Sequence, residues 1–401
     1  MSNQKRLFIL TPLVIILCAV IPIFTCTIFN AAKNGIVLAG NNEDMFSTDT
    51  KVWFMPASEG KFGVVYVGFE NYGKQGAMND QGLFFDGNAL KFSKMKPQPA
   101  KLPFPKDRDV IMMIMEECAT VEDVLALISR YNPEGWDNSQ AHFADRTGGA
   151  AVIGADKNGE MFIAQKKGIY QVSTNFSLAN PEFGAYSYPC PRYDIATDML
   201  EKMEELTVDY CRSILAAVHS EGSSPTVYSN ICDLTNGDIY LYNFHHFEEG
   251  VKFNLAEELK KGEHVYTMTD LFPRKTNAQI RFEEGLQKQL STVLGKTIEK
   301  KGIQAALKEY RTSKDKYSEI PGQLSKLAFL LKIQGKTDQA LKICELCVKE
   351  FPKLPEAHKA LGDLYVQLGK KSEAKKSYEK FLKLDPANGE VIAIMKDLEN
   401  N

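Results

Sequence analysis

The chain has 401 residues, 44% of them apolar and 25% charged, with a net charge of −3. That balance is ordinary for a globular protein and leaves room for two domains. No basic stripe interleaved with aromatic residues is present, which excludes nucleic acid as a partner class. Eight cysteines are too sparse for a disulfide framework, and none pairs with histidine at zinc spacing, so no metal or cofactor is expected.

Lys5 and Arg6 precede an uncharged stretch from Leu7 to Thr25. A basic start followed by an apolar run reads as a secretory signal peptide over 1–25, placing the protein outside the cytoplasm: secreted, periplasmic or in the cell envelope. An uncleaved membrane anchor is the alternative. A β-rich region begins directly at Cys26. Residues 27–32 and 36–40 flank Lys33-Asn34-Gly35, and Asn-Gly between apolar runs signals a hairpin. Gly40-Asn41-Asn42-Glu43-Asp44 then ends the second strand.

Further strands are expected at Val52–Met55, Val64–Phe69 and Leu83–Leu90, the last after a turn at Met78–Gly82. Residues 97–105 carry four prolines and read as a surface loop. Asp107–Glu117 suits a buried helix, and Thr120 with Asp123 marks the start of a second, Val121–Tyr131. Strands return at His142–Asp145, Ala150–Gly154, Glu160–Ala164 and Ile169–Thr174. Helices fit Tyr193–Met203 and Val208–Val218, and a last hairpin, Thr226–Asp233 with Ile239–Phe244, turns at Thr235-Asn236-Gly237. Clustered helices between clustered strands argue for a layered α+β domain over 26–265.

Beyond about residue 265, Lys, Glu, Leu and Ala dominate. Residues 266–320 read as a helical connector. Ala328, Ala340 and Pro352 then recur as Gly362, Ala374 and Pro386, and Cys344 and Cys347 correspond to Tyr378 and Phe381. This pattern resembles tetratricopeptide repeats over 321–354 and 355–388, with a capping helix completing 321–401. Ala306 and Tyr310 suggest a degenerate half-repeat upstream. In this frame Cys344 and Cys347 are core residues, although they form a C-x-x-C. Such repeats usually bind a protein or peptide partner.

Cys26 carries the chemical argument. A thiol attacks a carbonyl as its thiolate, so a base must take the proton. If Cys26 is the first residue of the mature chain, its own α-amine is that base. A carboxylate must orient the amine, and Asp44 is the candidate. A tetrahedral oxyanion needs uncharged donors, and the Asn88 and Asn175 amides suit it.

Cys26-Thr27, Gly40–Asp44, Met78-Asn79-Asp80-Gln81-Gly82-Leu83, Gly87-Asn88 and Thr174-Asn175 together resemble the N-terminal-nucleophile (Ntn) cysteine hydrolases. The group is that of choloylglycine hydrolase, penicillin V acylase and the acyl-CoA:6-aminopenicillanic acid acyltransferases. The resemblance spans about 26–260. It implies an αββα sandwich with Cys26 as nucleophile, Asp44 near its amine, and Asn88 and Asn175 at the oxyanion. It also implies a linear acyl amide as substrate, cleaved or transferred through a thioester. The group usually has arginine where this chain has Asn41 and a second where Asn230 stands closest, which leaves Arg192 as a substitute cation.

The bland readings are a buried strand cysteine at 26, turn-capping roles for Asp44, Asn88 and Asn175, and structural roles for His142, His219 and Asp145. Phe92, Met95, Phe104, Met112 and Met113 are expected in core rather than in an acyl pocket. The alternative function is an inert sandwich whose repeat groove binds a partner. Oligomeric state stays open, with a homo-oligomer among the options.

Overall fold

The computed structural model describes residues 26–69, 73–90, 95–105, 108–132, 136, 138–182 and 187–400. The expected signal segment 1–25 and Phe92 lie outside the described residues. The chain forms two compact units, Pro22–Lys288 and a second containing Gln289–Asn401. The boundary falls inside the expected 266–320 connector and divides it between them.

The first unit opens with strands β1 (Thr27–Lys33), β2 (Ile36–Asp44), β3 (Thr50–Met55), β4 (Val64–Phe69), β5 (Lys74–Asn79) and β6 (Leu83–Ala89). Asn34 and Gly35 both adopt positive φ, 54° and 81°, which makes the β1–β2 connection a tight hairpin turn. A two-residue strand β7 (Leu102–Pro103), helices α1 (Val110–Glu117) and α2 (Val121–Arg130), and β8 (Tyr131–Asn132) follow. Helix α2 starts with a full capping box between Thr120 and Asp123, worth about 1 kcal/mol. The chain continues through β9 (Ser139–Asp145), β10 (Ala150–Ala155), β11 (Met161–Gln165), β12 (Tyr170–Ser173), α3 (Pro191–Glu201) and α4 (Val208–Ala217). It closes with β13 (Thr226–Asp233), β14 (Asp238–Asn243), β15 (Gly250–Asn254), α5 (Leu255–Leu259), β16 (His264–Thr267), α6 (Met268–Leu271) and α7 (Asn277–Gln287).

Two antiparallel sheets result. One has the order β12-β1-β2-β13-β14-β15 and the other β11-β10-β9-β6-β5-β4-β3-β16. Strand alternation gives each sheet two buried faces. Phe29, Ala31, Leu38 and Ile231 pack outward under α3 and α4, with Leu200, Ile214 and Leu215. Tyr66, Ala77, Phe85, Phe143 and Ile153 pack outward under α1 and α2, with Ile114, Val124 and Leu127. Met95, Phe104 and Met113 belong to this second core and Met112 packs against it, as expected for core residues. Phe104 is thus buried at the end of the proline-rich stretch expected at the surface. The intervening residues of both sheets face each other, which completes an αββα sandwich.

Close backbone approach explains one glycine in the middle of a strand. A Cβ on Gly40 would lie 2.7 Å from the Phe29 ring, so any larger residue would push that buried ring off its helix layer.

The second unit is helical: α8 (Leu290–Lys301), α9 (Ile303–Ser313), α10 (Ile320–Ile333), α11 (Thr337–Glu350), α12 (Pro355–Gln367), α13 (Lys371–Leu384) and α14 (Gly389–Asn400). The expected repeats correspond to the pairs α10–α11 and α12–α13. Ala306 and Tyr310 are buried on α9, which pairs with a complete partner helix, α8, so the upstream element is a full helical hairpin rather than a half-repeat. Cys344 and Cys347 lie in the same apolar core. Gly362 fits where α12 meets α13, because a Cβ there would come within 2.6 Å of the buried Tyr378 ring.

Candidate active site

Cys26 stands immediately before β1 and is 3% exposed. With Ile28 and Asn30 it lies on the inner face of its sheet, since the alternate residues Phe29 and Ala31 pack outward. The same argument places Asn41 and Glu43 on the inner face of β2, and Tyr228 and Asn230 on that of β13. In register, Asn41 opposes Asn230 and Glu43 opposes Tyr228. From the facing sheet, Asp86 and Asn88 on β6 alternate with the outward Phe85 and point inward.

The four residues expected from sequence have distinct surroundings. Asn88 Nδ2 donates to the Cys26 carbonyl at 3.4 Å. The Asp44 backbone N–H hydrogen-bonds the Cys26 thiol. The Asp44 carboxylate accepts from Ser220 Oγ at 2.6 Å and from Thr226 Oγ1. Asn175 Nδ2 donates to the Ala89 carbonyl at 3.0 Å. Its Oδ1 accepts from Arg192 at 3.2 Å. Arg192 also donates to the Cys26 carbonyl and to Thr27 Oγ1, both at 2.8 Å. Arg192, at the second position of α3, therefore ties Cys26 to Asn175.

Glu43 and Asp86 are not evident as site residues from the sequence, although Glu43 lies within the Gly40–Asp44 stretch. The signal available was alternation: a glutamate on the same strand face as position 41 has to face the thiol. The Cys26 thiol hydrogen-bonds the Glu43 carboxyl. Burial first, then the Glu43 and Asp44 charges, push the thiol well above its usual range. Burial and then Asp44 hold Glu43 above the usual carboxylate range, and burial and then Glu43 do the same for Asp86.

His142 is not in reach of this chemistry as a base. Asn30 Nδ2 donates to its Nε2 and its Nδ1 meets Ser173 Oγ, both at 2.8 Å, a satisfied buried ring. His219 bonds the Ala216 carbonyl and Glu221, and Asp145 accepts from Val121 N, Thr147 and Gly149 N in a turn, both structural arrangements. Among the described residues no group of three or more His, Cys, Asp or Glu could hold a metal ion.

A buried cysteine thus heads an inner strand of an αββα sandwich. The first unit is similar to a variant of conjugated bile acid hydrolase from Clostridium perfringens, at 17% identity and TM-score 0.48, over 63% of this chain and 98% of that one. It is also similar to penicillin V acylase from Agrobacterium tumefaciens, at 15% identity and TM-score 0.47, over 60% of this chain and 90% of that one. The tetratricopeptide repeat family matches residues 355–388, the second expected repeat. No curated protein sequence matches the chain.

Proposed function

We propose that the first unit is a cysteine amidohydrolase of linear acyl amides, activated when removal of residues 1–25 frees the Cys26 α-amine. The observation that carries this reading is the meeting, around one cysteine, of groups from four separate elements, two of them donating to its carbonyl. These are the Asp44 N–H on β2, the Asn88 amide on β6, and Arg192 on α3 bridging to Asn175 after β12.

In this reading the α-amine takes the thiol proton and sulfur attacks the amide carbon. Burial and two nearby acids oppose a bare thiolate, so the proton has to move only as the S–C bond forms. Asn88 donates to the developing oxyanion. The Asn175 amide nitrogen already donates to Ala89, so Asn175 supports the site through its remaining N–H and through Arg192. The ammonium returns the proton to the departing nitrogen as the C–N bond breaks. Water, or another acceptor in a transferase, then attacks the thioester and releases Cys26. Asp44, fixed by Ser220 and Thr226, orients the amine. The signal peptide reading places this activity outside the cytoplasm, and the repeats supply a protein-binding surface.

The test is intact mass after mixing the purified protein with a panel of acyl amides. The expected result is a chain beginning at Cys26 that gains one acyl mass, lost in Cys26→Ala. A chain that retains residues before Cys26 and never acylates would reject the enzyme and favour a repeat-mediated binding protein.

A further inference from the structure

The interior beside Cys26 holds more hydrogen-bond acceptors than the proposed chemistry uses. Glu43 and Asp86 are 2% and 0% exposed, and Glu43 Oε2 and Asp86 Oδ2 have no hydrogen-bond partner in the protein. Independently of these acids, the buried Asn230 Oδ1, opposite Asn41 in register, has no partner. The Tyr228 hydroxyl, also buried and unpartnered, lies within the electrostatic reach of Glu43, Asp86 and Cys26. Gly76, the register partner of Asp86, leaves the space its carboxyl occupies, since a Cβ there would sit 2.5 Å from Asp86 Oδ2.

Unsatisfied buried polar atoms are costly, and a set this rich in acceptors calls for a donor. Two buried carboxyls that repel each other, as Glu43 and Asp86 do, do not both ionise in a dry interior unless a cation joins them. The nearby cation that would suit an anion, Arg192, is committed to Cys26, Thr27 and Asn175.

We propose that Glu43 and Asp86, with Asn41 and Asn230, form a subsite for a protonated amine carried by the substrate a few bonds from its scissile amide. This rests on the amidohydrolase reading and names its substrate class: acyl amides cationic on the acyl or the amine side, not anionic ones. The ammonium donates to the unpartnered oxygens and supplies the charge that lets a carboxylate form beside the thiol. No bond is made or broken at this subsite.

The experiment uses the full chain processed to Cys26 and two matched substrate pairs. β-Alanyl anilide against butyryl anilide tests the acyl side. The mono-acyl amide of putrescine against the acyl amide of pentylamine tests the amine side. The expected result is a kcat/KM advantage of about tenfold or more for the cationic member of one pair, with N-acylglycine the poorest substrate. That advantage should fall to about one in Glu43→Gln or Asp86→Asn, the range expected once charge complementarity is lost. Equal rate loss on both members of a pair would assign the acids to the enzyme's own α-amine and overturn the subsite. If none of the amides turns over, the amidohydrolase reading fails separately. Calorimetry of putrescine and β-alaninamide against Cys26→Ala then decides the subsite, and absence of binding by both overturns it.

Discussion

The protein places cysteines in two contrasting settings. Cys26 sits among carboxyls, amides and a guanidinium, many of them buried without a full set of partners. Cys344 and Cys347 sit among leucines and alanines between the helices of a repeat. All three are buried and all three thiols are raised by that burial. The difference lies in what surrounds the sulfur. In the repeat the sulfurs pack into an apolar core, so the thiols are packing material. At Cys26 the surroundings cost stability, and unpaired buried polar groups of this kind persist where a site needs them.

The sharpest way to break this comparison is to remove one thiol. Cys26→Ala should abolish turnover, a loss of about ten-thousandfold or more, with far-UV circular dichroism and cooperative unfolding retained. Cys26→Ser should leave little activity, because a hydroxyl ionises far less readily than a thiol. A fully active Cys26→Ala would remove the mechanism.

Acid comes next in size and separates His142 from the reacting groups. Burial first, then the Lys166 charge, lowers the His142 pKa to about 3. As pH falls below about 6.5 the unfolded chain binds a proton there and the native ring does not, so stability is lost between about 6.5 and 3, by up to roughly 5 kcal/mol. Glu43 and Asp86, raised in the native state, act with the opposite sign. Comparing urea midpoints of wild type and His142→Asn across pH isolates the ring: the stability gap between them should narrow as pH drops. A gap independent of pH would mean that the ring titrates normally.

Asn88→Ala tests the oxyanion assignment. The expected loss is about a hundredfold or more in kcat with a smaller change in KM, as for removal of a single oxyanion donor. Stability should change little, because the bond to the Cys26 carbonyl is long at 3.4 Å and Arg192 also serves that oxygen. A KM effect alone would reduce Asn88 to a substrate-contacting residue.

Local chemistry was legible before the fold was known. The Asn34-Gly35 turn, the Thr120–Asp123 capping box and the repeat positions around Gly362 each follow from short-range constraints that the folded chain keeps. Strand β5 was not legible, because Lys74-Gln75-Gly76-Ala77 lacks β-branched residues and is a strand only through its neighbours β4 and β6. The edge strands β15 and β16 were missed because they are only five and four residues long, too short for an alternation to show. The boundary at Lys288 was hidden because helix lies on both sides of it, with only Lys288 and Gln289 between α7 and α8. At the site, Cys26, Asp44, Asn88 and Asn175 could be named in order along the chain. That Glu43 and Asp86 face one interior from opposite sheets could not, since it follows from stacking one sheet on another. Arg192 was visible only as a spare cation until α3 brought it to Cys26.

The smallest predicted effect closes the comparison from the other side. Burial pushes the Cys344 thiol up to about 12 and the Cys347 thiol to about 11, so at neutral pH both are essentially all protonated. Neither should react with iodoacetamide in the native protein, and both should after unfolding. Cys344→Ala removes a single buried sulfur from the α10–α12 packing and should cost about 1 kcal/mol, seen as a small drop in the midpoint of the helical unit. Turnover and acylation at Cys26 should be unchanged, because the Cys344 sulfur belongs to the apolar core of the helical unit. A loss of turnover in Cys344→Ala with the unfolding midpoint intact would show that the repeat thiol takes part in the chemistry, and the contrast between the two settings would then fail.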